Sequence, residues 1–373
     1  MQFIVENEAF ARALGLVKGC VPTRSTIPIL SHVAVIARGS EVVVRATNLA
    51  REVETAVPAE VVQEGGAALP GEVLAGLAKR LAKGGQTELR HLMGRAQLTS
   101  GSSKYDLRTL PIEDFPSIKE MASGAVVFGM DAATLRDLIQ ATVYPADPKG
   151  LKPYNQGIHL HAVGKHLVAV ATDDHRLARR TADLPKGAAS MPGVTIPEDS
   201  ARAMLQMLEG ADGVELAVSA SLVELRLPGV RLASALLECT FPDYERVIPK
   251  LNGTAATFRP YALAEALGRA TTVYLGDTSA GRMAPTATLT FKGGSINLEA
   301  GIRGNEQAVE VVDAETNGHD ISFTVNAQYL ADMLGAWPET VAVGVQQADP
   351  SKPILFTAAD RPEMTHVIMP ARR

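Results

Sequence analysis

The sequence predicts an α+β protein built from three copies of one domain, each with two helices packed on antiparallel sheets. Three observations predict it. Two helix-like patterns each recur three times along the 373 residues. The copies follow one another at a nearly constant step, and the stretches between them alternate apolar and polar residues with the period of a strand. Helices that bury one stripe against a sheet that buries one face give a layered α+β domain.

The first pattern opens each third of the chain. It reads FIVENEAFARALGLVKG from Phe3, FGMDAATLRDLIQATVY from Phe128 and FRPYALAEALGRATTVY from Phe258, offset by 125 and then 130 residues. The second pattern reads LPGEVLAGLAKRLAKG over 69–84, IPEDSARAMLQMLEG over 196–210 and VNAQYLADMLGAWPE over 325–339. In it Leu74, Leu77 and Leu81, then Met204, Leu205 and Leu208, then Leu330, Met333, Leu334 and Trp337 fall at helical spacing and give each helix one apolar face, and the stripe of Leu330, Met333, Leu334 and Trp337 reads as core. Ala46, Ala171 and Ala300 keep the same step, and Phe115-Pro116 is answered by Phe241-Pro242 126 residues later. Domains of 1–124, 125–253 and 254–373 follow, with boundaries near the Ser/Gly-containing stretch 122–125 and Asn252-Gly253-Thr254. Between the helices, 213–238 reads as an antiparallel meander turning at Ala-Ser and Pro-Gly, 286–302 as a hairpin on Gly293-Gly294, and 41–46 as a strand.

A chain of this length exceeds what one hydrophobic core usually organises. Its 46% hydrophobic and 21% charged residues are those of a globular protein. Glu6 and Glu8 stand where a secretory signal needs basic and apolar residues, and no run of eighteen apolar residues occurs, so a cytoplasmic location without membrane contact is expected. Cys20 and Cys239 lie far apart without CxxC spacing, which predicts free packed thiols and neither disulfide nor zinc site. A net charge of −5 excludes a protein that coats nucleic acid with its whole surface, while leaving room for a local basic face.

The segment ATDDHRLARR (171–180) concentrates two acids, a histidine and three arginines behind the apolar run 166–170. Asp173, Asp174 and His175 have the chemistry of metal ligands or an acid/base set, which would make the chain a metal-dependent hydrolase. The alternative is a polar turn at a strand end, since the matching positions in the other thirds are Asn48-Leu49-Ala50-Arg51 and Arg303-Gly304-Asn305-Glu306. His159 and His161 share a strand face without a third ligand in view. There is no GxxxxGK[ST], strand-linked GxGxxG or HExxH, so no cofactor and no metal are expected, and GSSKY (101–105) reads as a hairpin end rather than a nucleophile elbow. Lys79, Arg80 and Lys83 make a helix over 72–83 net positive, with Arg12, Lys18, Arg136, Arg202 and Arg269 scattered over the other helices.

Six segments give the chain a family resemblance over its full length: TIPILSHV (26–33), LPIEDFP (110–116), NQGIHL (155–160), ATDDHRLA (171–178), FPDYERVIPK (241–250) and VIMPARR (367–373). It resembles the bacterial DNA polymerase III beta subunit, the replicative sliding clamp. The resemblance implies three DNA-clamp domains per subunit and a head-to-tail homodimer closing a six-domain ring with helices inside. Such a ring retains double-stranded DNA by topology, without sequence preference and without catalysis, as a processivity factor. A ring-shaped scaffold that no longer engages DNA is a further alternative.

By the same resemblance Arg24, Lys149, Lys152 and Tyr154 are close DNA contacts, and Lys79, Arg80, Lys83, Arg136, Arg202 and Arg269 face the channel, with Arg12 beside them. Lys152 and Pro153 depart from the family's Arg and Tyr. Tyr105 and Leu107 on one edge and Thr272 and Val273 on another form the dimer contact. A pocket that takes Gln-x-x-Leu-Phe motifs of the DNA polymerase III alpha subunit, the clamp loader and other clamp-binding proteins falls on Thr172, Asp174, His175, Arg176, Leu177, Pro242, Arg246, Val247, Val367, Met369, Pro370 and Arg372. Leu177, Pro242, Val247 and Met369 would floor it, with Arg and His donors orienting the peptide. Asp174 stands where the family has glycine, and Arg373 where it has leucine.

Overall fold

The computed structural model describes residues 1–373 apart from 23, 119–120, 122, 252, 274–284, 302–306, 319 and 372–373. The chain forms two compact units. The first comprises Met1–Arg136, Pro185–Pro192 and Arg202–Leu236, the second Asp137–Leu184, Gly193–Ala201 and Leu237–Arg373. Every strand pairing in both units is antiparallel among the described residues.

In the first unit β1 (Gln2–Glu6) lies between β4 (Arg51–Gln63) and β6 (Gln86–Leu92), which continues into β7 (Arg95–Ser100) and β8 (Ser103–Arg108). On the far side of β4 come β16 (Val230–Ala235), β15 (Leu222–Leu227), β14 (Gly213–Val218) and β9 (Val126–Asp131). β2 (His32–Arg38), β3 (Glu41–Thr47) and β5 (Gly65–Pro70) complete the sheet through β3 on β4. In the second unit the order runs β13 (Val194–Pro197), β10 (Gly157–Val163), β11 (His166–Thr172), β12 (Arg176–Asp183), β24 (Arg361–Ile368), β23 (Ile354–Ala358), β22 (Val343–Gln346), β17 (Ala256–Phe258), β20 (Gln307–Thr316), β19 (Ser295–Gly301), β18 (Thr286–Lys292), β21 (Ile321–Asn326).

Six α-helices are present among the described residues, two per third as expected: α1 (Asn7–Lys18), α2 (Gly71–Ala78), α3 (Ala132–Thr142), α4 (Glu198–Met207), α5 (Pro260–Thr272) and α6 (Ala327–Gly335). α1 packs on α2 and on β4, and α5 on α6 and β20. The meander, the Gly293-Gly294 hairpin, the strand at 41–46 and the 101–105 hairpin end all form as expected. So does the buried stripe of Leu330, Met333, Leu334 and Trp337, which joins Phe258, Phe291, Phe323 and Phe356 in the second unit's core.

Two expectations need correction. The opening helices do not begin at Phe3, Phe128 and Phe258, for those residues lie in β1, β9 and β17. Phe3 and Val5 are spaced by two, the strand period, and β1 is pinned on both edges, so tertiary pairing overrides the helical pattern that starts at Asn7. Three of the helices, α3, α5 and α6, have a local cause for where they start. Asp131 accepts from the Thr134 amide at 2.7 Å, Pro260 occupies the first turn of α5, and Asn326 accepts from the Gln328 amide at 2.8 Å.

The second correction concerns the basic helix over 72–83. α2 ends at Ala78, and Lys79, Arg80 and Lys83 follow it on a tightened turn. The reason is Asn7, almost fully buried, whose side chain donates to the Ala82 carbonyl at 2.8 Å and whose amide donates to Gly85, drawing this stretch off the helical path.

Phe291 is fully buried between Phe258 and Phe323, with ring centroids 5.9 and 5.8 Å away. Phe291→Ala is expected to lower the unfolding free energy of the second unit by about 3–5 kcal/mol. Urea titration measures it, and a loss below about 1 kcal/mol would show that the aromatic stack is not the core's anchor.

Candidate functional site

The ATDDHRLARR segment forms the end of the β11–β12 hairpin, which pairs in register from His166 with Asp183 to Thr172 with Leu177. Its turn is made by side chains. Thr172 Oγ1 donates to the Arg176 carbonyl at 2.8 Å and accepts from the Asp174 amide at 3.2 Å, while Asp173 Oδ1 accepts from the amides of His175 and Arg176. The first repeat builds the same turn from Thr47 and Asn48, with Leu49 at φ 76° where Asp174 has φ 72°. The polar run is therefore a turn that the fold uses twice. Asp173's other oxygen receives Arg176 Nε at 3.0 Å, so both of its oxygens serve the turn.

Arg176 extends inward from this turn. Its guanidinium also donates to Asp332 at 2.5 Å and to the Tyr144 carbonyl at 3.1 Å, and lies 4.4 Å from the Tyr329 ring centre. Burial works against its charge, but Asp332 and Asp173 outweigh it and raise its pKa. Its side chain is 10% exposed, so Arg176 is a pin that holds the hairpin to α6.

Beside the turn lies a small apolar cluster separate from the main core. Leu177 and Val367 are buried in it with Val168, Val170, Tyr244 and Leu355, and Phe241 and Ile248 pack against it. Val247 and Met369 are about half exposed, and Pro242 and Arg246 are exposed, with Arg246 paired to Asp243 at 2.7 Å. The Met369 amide donates to the His175 carbonyl at 2.8 Å, which holds the segment carrying Pro370 at the turn. The exposed His175 ring faces Tyr329, centroids 6.1 Å apart. Arg372 lies outside the described residues. Sequence reasoning missed Tyr244, Leu355, Val170 and Phe241 here, although the alternation of Val168 and Val170 was a strand signal for one face.

His159 and His161 do share a face of β10, and aromatic neighbours take them up. His159 stacks on Phe241 at 4.6 Å, Phe241 meets the Tyr154 ring edge-on at 6.0 Å, and His161 Nε2 lies 3.1 Å from the Tyr244 hydroxyl. The Asp174 carboxylate engages the 149–155 loop. It accepts from Lys152 Nζ at 2.9 Å, Tyr154 at 3.0 Å and Asn155 Nδ2 at 3.1 Å, so the structure joins a residue expected in the pocket to two expected on DNA.

Arg12, Arg24, Lys79, Arg80, Lys83, Arg136, Lys149, Lys152, Arg202 and Arg269 are all exposed, and Tyr154 half-buried. Arg12, Arg136, Arg202 and Arg269 ride on α1, α3, α4 and α5, and Arg269 forms a two-point ion pair with Glu310. Tyr105 and Leu107 are half-buried on β8, the terminal strand of its sheet, while Thr272 ends α5 and Val273 follows it. A cavity of about 240 Å³ opens where β17 meets β20, lined by Thr257, Arg259, Asp313 and Glu315, and no expected site residue reaches it. No helix among the described residues is long and apolar enough to cross a membrane.

Three family models match in succession: the DNA polymerase III beta subunit N-terminal domain over 1–119, its central domain over 129–243 and its C-terminal domain over 245–372. The chain belongs to the DNA polymerase III beta subunit family. It is 31% identical to the beta sliding clamp of Caulobacter vibrioides and 28% identical to that of Pseudomonas aeruginosa, each over the whole of both chains. Among solved structures it resembles the DNA polymerase sliding clamp of Caulobacter crescentus, with TM-score 0.87 and 30% identity over both full chains. It also resembles the sliding clamp of Bartonella birtlesii bound to griselimycin, with TM-score 0.91 and 27% identity over the same extent.

Burial lowers the pKa of His159 to about 4, with the neighbouring His161 contributing. A histidine held neutral in the fold stabilises it above the unfolded pKa of 6.5, and that stability is lost as pH falls towards the folded value. Between pH 7 and pH 4 this residue alone is expected to remove on the order of 3 kcal/mol from the second unit. Unfolding titrations at stepped pH should give a shallower slope across that window for His159→Gln, and an unchanged slope would contradict the assignment.

Proposed function

We propose that the chain is a sliding clamp, the non-catalytic processivity subunit of a DNA polymerase, and that two copies joined head to tail encircle duplex DNA. One observation carries the reading. Within the first unit β16 pairs onto the start of β4, with Leu232 opposite Val53 and Ser234 opposite Arg51. Within the second unit β24 pairs onto β12 in the same way, with His366 opposite Ala178 and Ile368 opposite Arg176. The repeat has a third such pair, β8 and β20: among the described residues β8 keeps an unpaired edge, and β20 meets β17 only at Ala314–Thr316, which leaves its Gln307–Asp313 stretch open on that side.

Burial supports this third joint. Leu232, Ser234, His366 and Ile368 are completely buried, whereas Tyr105 and Leu107, their counterparts on β8, are only half so. An apolar edge strand left open invites another strand. Continuing the register puts Tyr105 opposite Ala308 of a second copy, close to Thr272 and Val273. Because the donor edge lies in the first third and the acceptor in the last, the contact is heterologous, and a ring is the closed solution. Domains of 1–124, 125–253 and 254–373 fit this repeat.

Exposed cations on four helices, Arg12, Arg136, Arg202 and Arg269, and on the turn that follows α2, Lys79, Arg80 and Lys83, suit a lining that touches phosphates without reading bases, with Arg24, Lys149, Lys152 and Tyr154 as closer contacts. A net charge of −5 is compatible with retention by topology. The cluster around Leu177 and Val367, with Val247, Met369 and Pro242 at its mouth and His175, Thr172 and Arg246 beside it, supports docking of short motifs with apolar anchors. Pro370 extends the same wall, Arg176 contributes by fixing the turn, and Arg372 is assigned to the pocket by the family resemblance alone. The polymerase alpha subunit, the clamp loader and other motif-bearing proteins are the partners, in the cytoplasm.

Loading onto nicked circular DNA by a clamp loader tests the function. The chain is expected to stay on the circle through gel filtration and to leave when the circle is linearised; equal retention on both forms, or on neither, would contradict encirclement. Leu107→Glu should shift the sedimenting species from twice 39.4 kDa to 39.4 kDa at micromolar concentration. An unchanged dimer would place the interface elsewhere.

A further inference from the structure

We infer that Asp174 is a latch: in the free chain it occupies the donors of the 149–155 loop that a DNA phosphate would take, and its release frees both Lys152 for the phosphate and Tyr154 from the edge of the docking cluster. The inference deepens the sliding-clamp reading and rests on it for the DNA.

The turn itself does not require an aspartate at this position. The first repeat makes the same left-handed turn with Leu49, and the turn's own hydrogen bonds use Thr172, Asp173 and the Asp174 amide rather than the Asp174 carboxylate. That carboxylate is spent on the loop instead. An ammonium, a phenol and a carboxamide converge on it within 3.1 Å, from Lys152, Tyr154 and Asn155. Three donors of this kind around one anion are the set that recognises a phosphate oxygen. The loop is otherwise preformed: Asp147 accepts from the Lys149 amide, its own amide donates to the Asn155 carbonyl at 2.7 Å, and Gln156 donates to Gly150.

The electrostatics agree with a held ion pair. Burial of Asp174 raises its pKa, but hydrogen bonds from Lys152, Asn155 and Tyr154 outweigh this and lower it, while the bond to Asp174 raises that of Lys152. The pair is exposed, with side chains 54% and 40% accessible, so it is exchangeable rather than locked. Tyr154, held by the same carboxylate, lies edge-on to Phe241, which covers the apolar cluster. One anion thus restrains a phosphate-binding cation and an aromatic at the docking site together.

The test compares wild type, Asp174→Gly and the Asp174→Gly, Lys152→Gln double variant for binding to a short fluorescent duplex across a salt series. Glycine accepts φ 72° without strain, so the single variant keeps the turn. Freeing Lys152 should tighten duplex binding about 3–10-fold at low salt and steepen the plot of log K against log salt by about one. The double variant should return to the wild-type slope, a rescue that a merely structural role for Asp174 would not produce. A wild type that binds, with the same slope in Asp174→Gly, overturns the latch alone. A wild type without salt-dependent duplex binding overturns the DNA reading and the latch with it.

Discussion

A β-strand at the end of a sheet carries a row of unpaired amides and carbonyls, and the repeat in this chain meets that constraint by setting one strand of each repeat against the next. β16 on β4 and β24 on β12 are the same joint made twice, each extending a sheet across a repeat boundary inside one compact unit. At its centre the joint buries Leu232 and Ser234 in one case and His366 and Ile368 in the other completely. A chain with three repeats has two such joints within itself and one half-joint left at each end of the series. The proposed pairing with a second copy would remove both exposed halves at once, and a ring then follows from satisfying backbone rather than from an added design.

The same economy governs the β11–β12 turn. The repeat supplies a Thr-Asx turn with a left-handed third residue and an arginine after it, seen at Thr47–Arg51 and again at Thr172–Arg176. In the first unit Arg51 is buried and donates to the Gly19 carbonyl at 2.9 Å. In the second, Arg176 reaches Asp332 and Tyr144, and the turn it stabilises stands beside a satellite apolar cluster, with Val247 and Met369 exposed nearby. On the proposed reading, a structural motif serves as one wall of a docking surface. His159, stacked on Phe241 beneath that surface, is kept neutral by burial, so the wall is uncharged where apolar anchors would sit.

Much of this was legible in the residues. The threefold period gave the six helices and the strands between them, because amphipathic spacing is a local property that packing then exploits. The boundary errors at Phe3, Phe128 and Phe258 have one cause: apolar residues two apart at the head of a helical pattern read either way until a partner strand fixes them. The end of α2 was hidden because it depends on Asn7, some seventy residues away in sequence. At the site, Leu177 and Val367 were identifiable through resemblance, but the inward course of Arg176 was not, since Tyr144, Tyr329 and Asp332 are brought to it only by the fold. Asp174 was visible as a departure from the family, and its tie to Lys152 and Tyr154 required the loop's placement.

The central claim is that β8 of one copy pairs with β20 of another in the register of the two internal joints. Cysteines at Tyr105 and Ala308, in a background with Cys239 replaced by serine, joined by a short bismaleimide, measure it directly. The account predicts a covalently closed dimer with both links formed at high yield, and no link when a control cysteine replaces Val62 in place of Ala308. Monomers, or an open ladder of higher oligomers without the closed dimer, would contradict it.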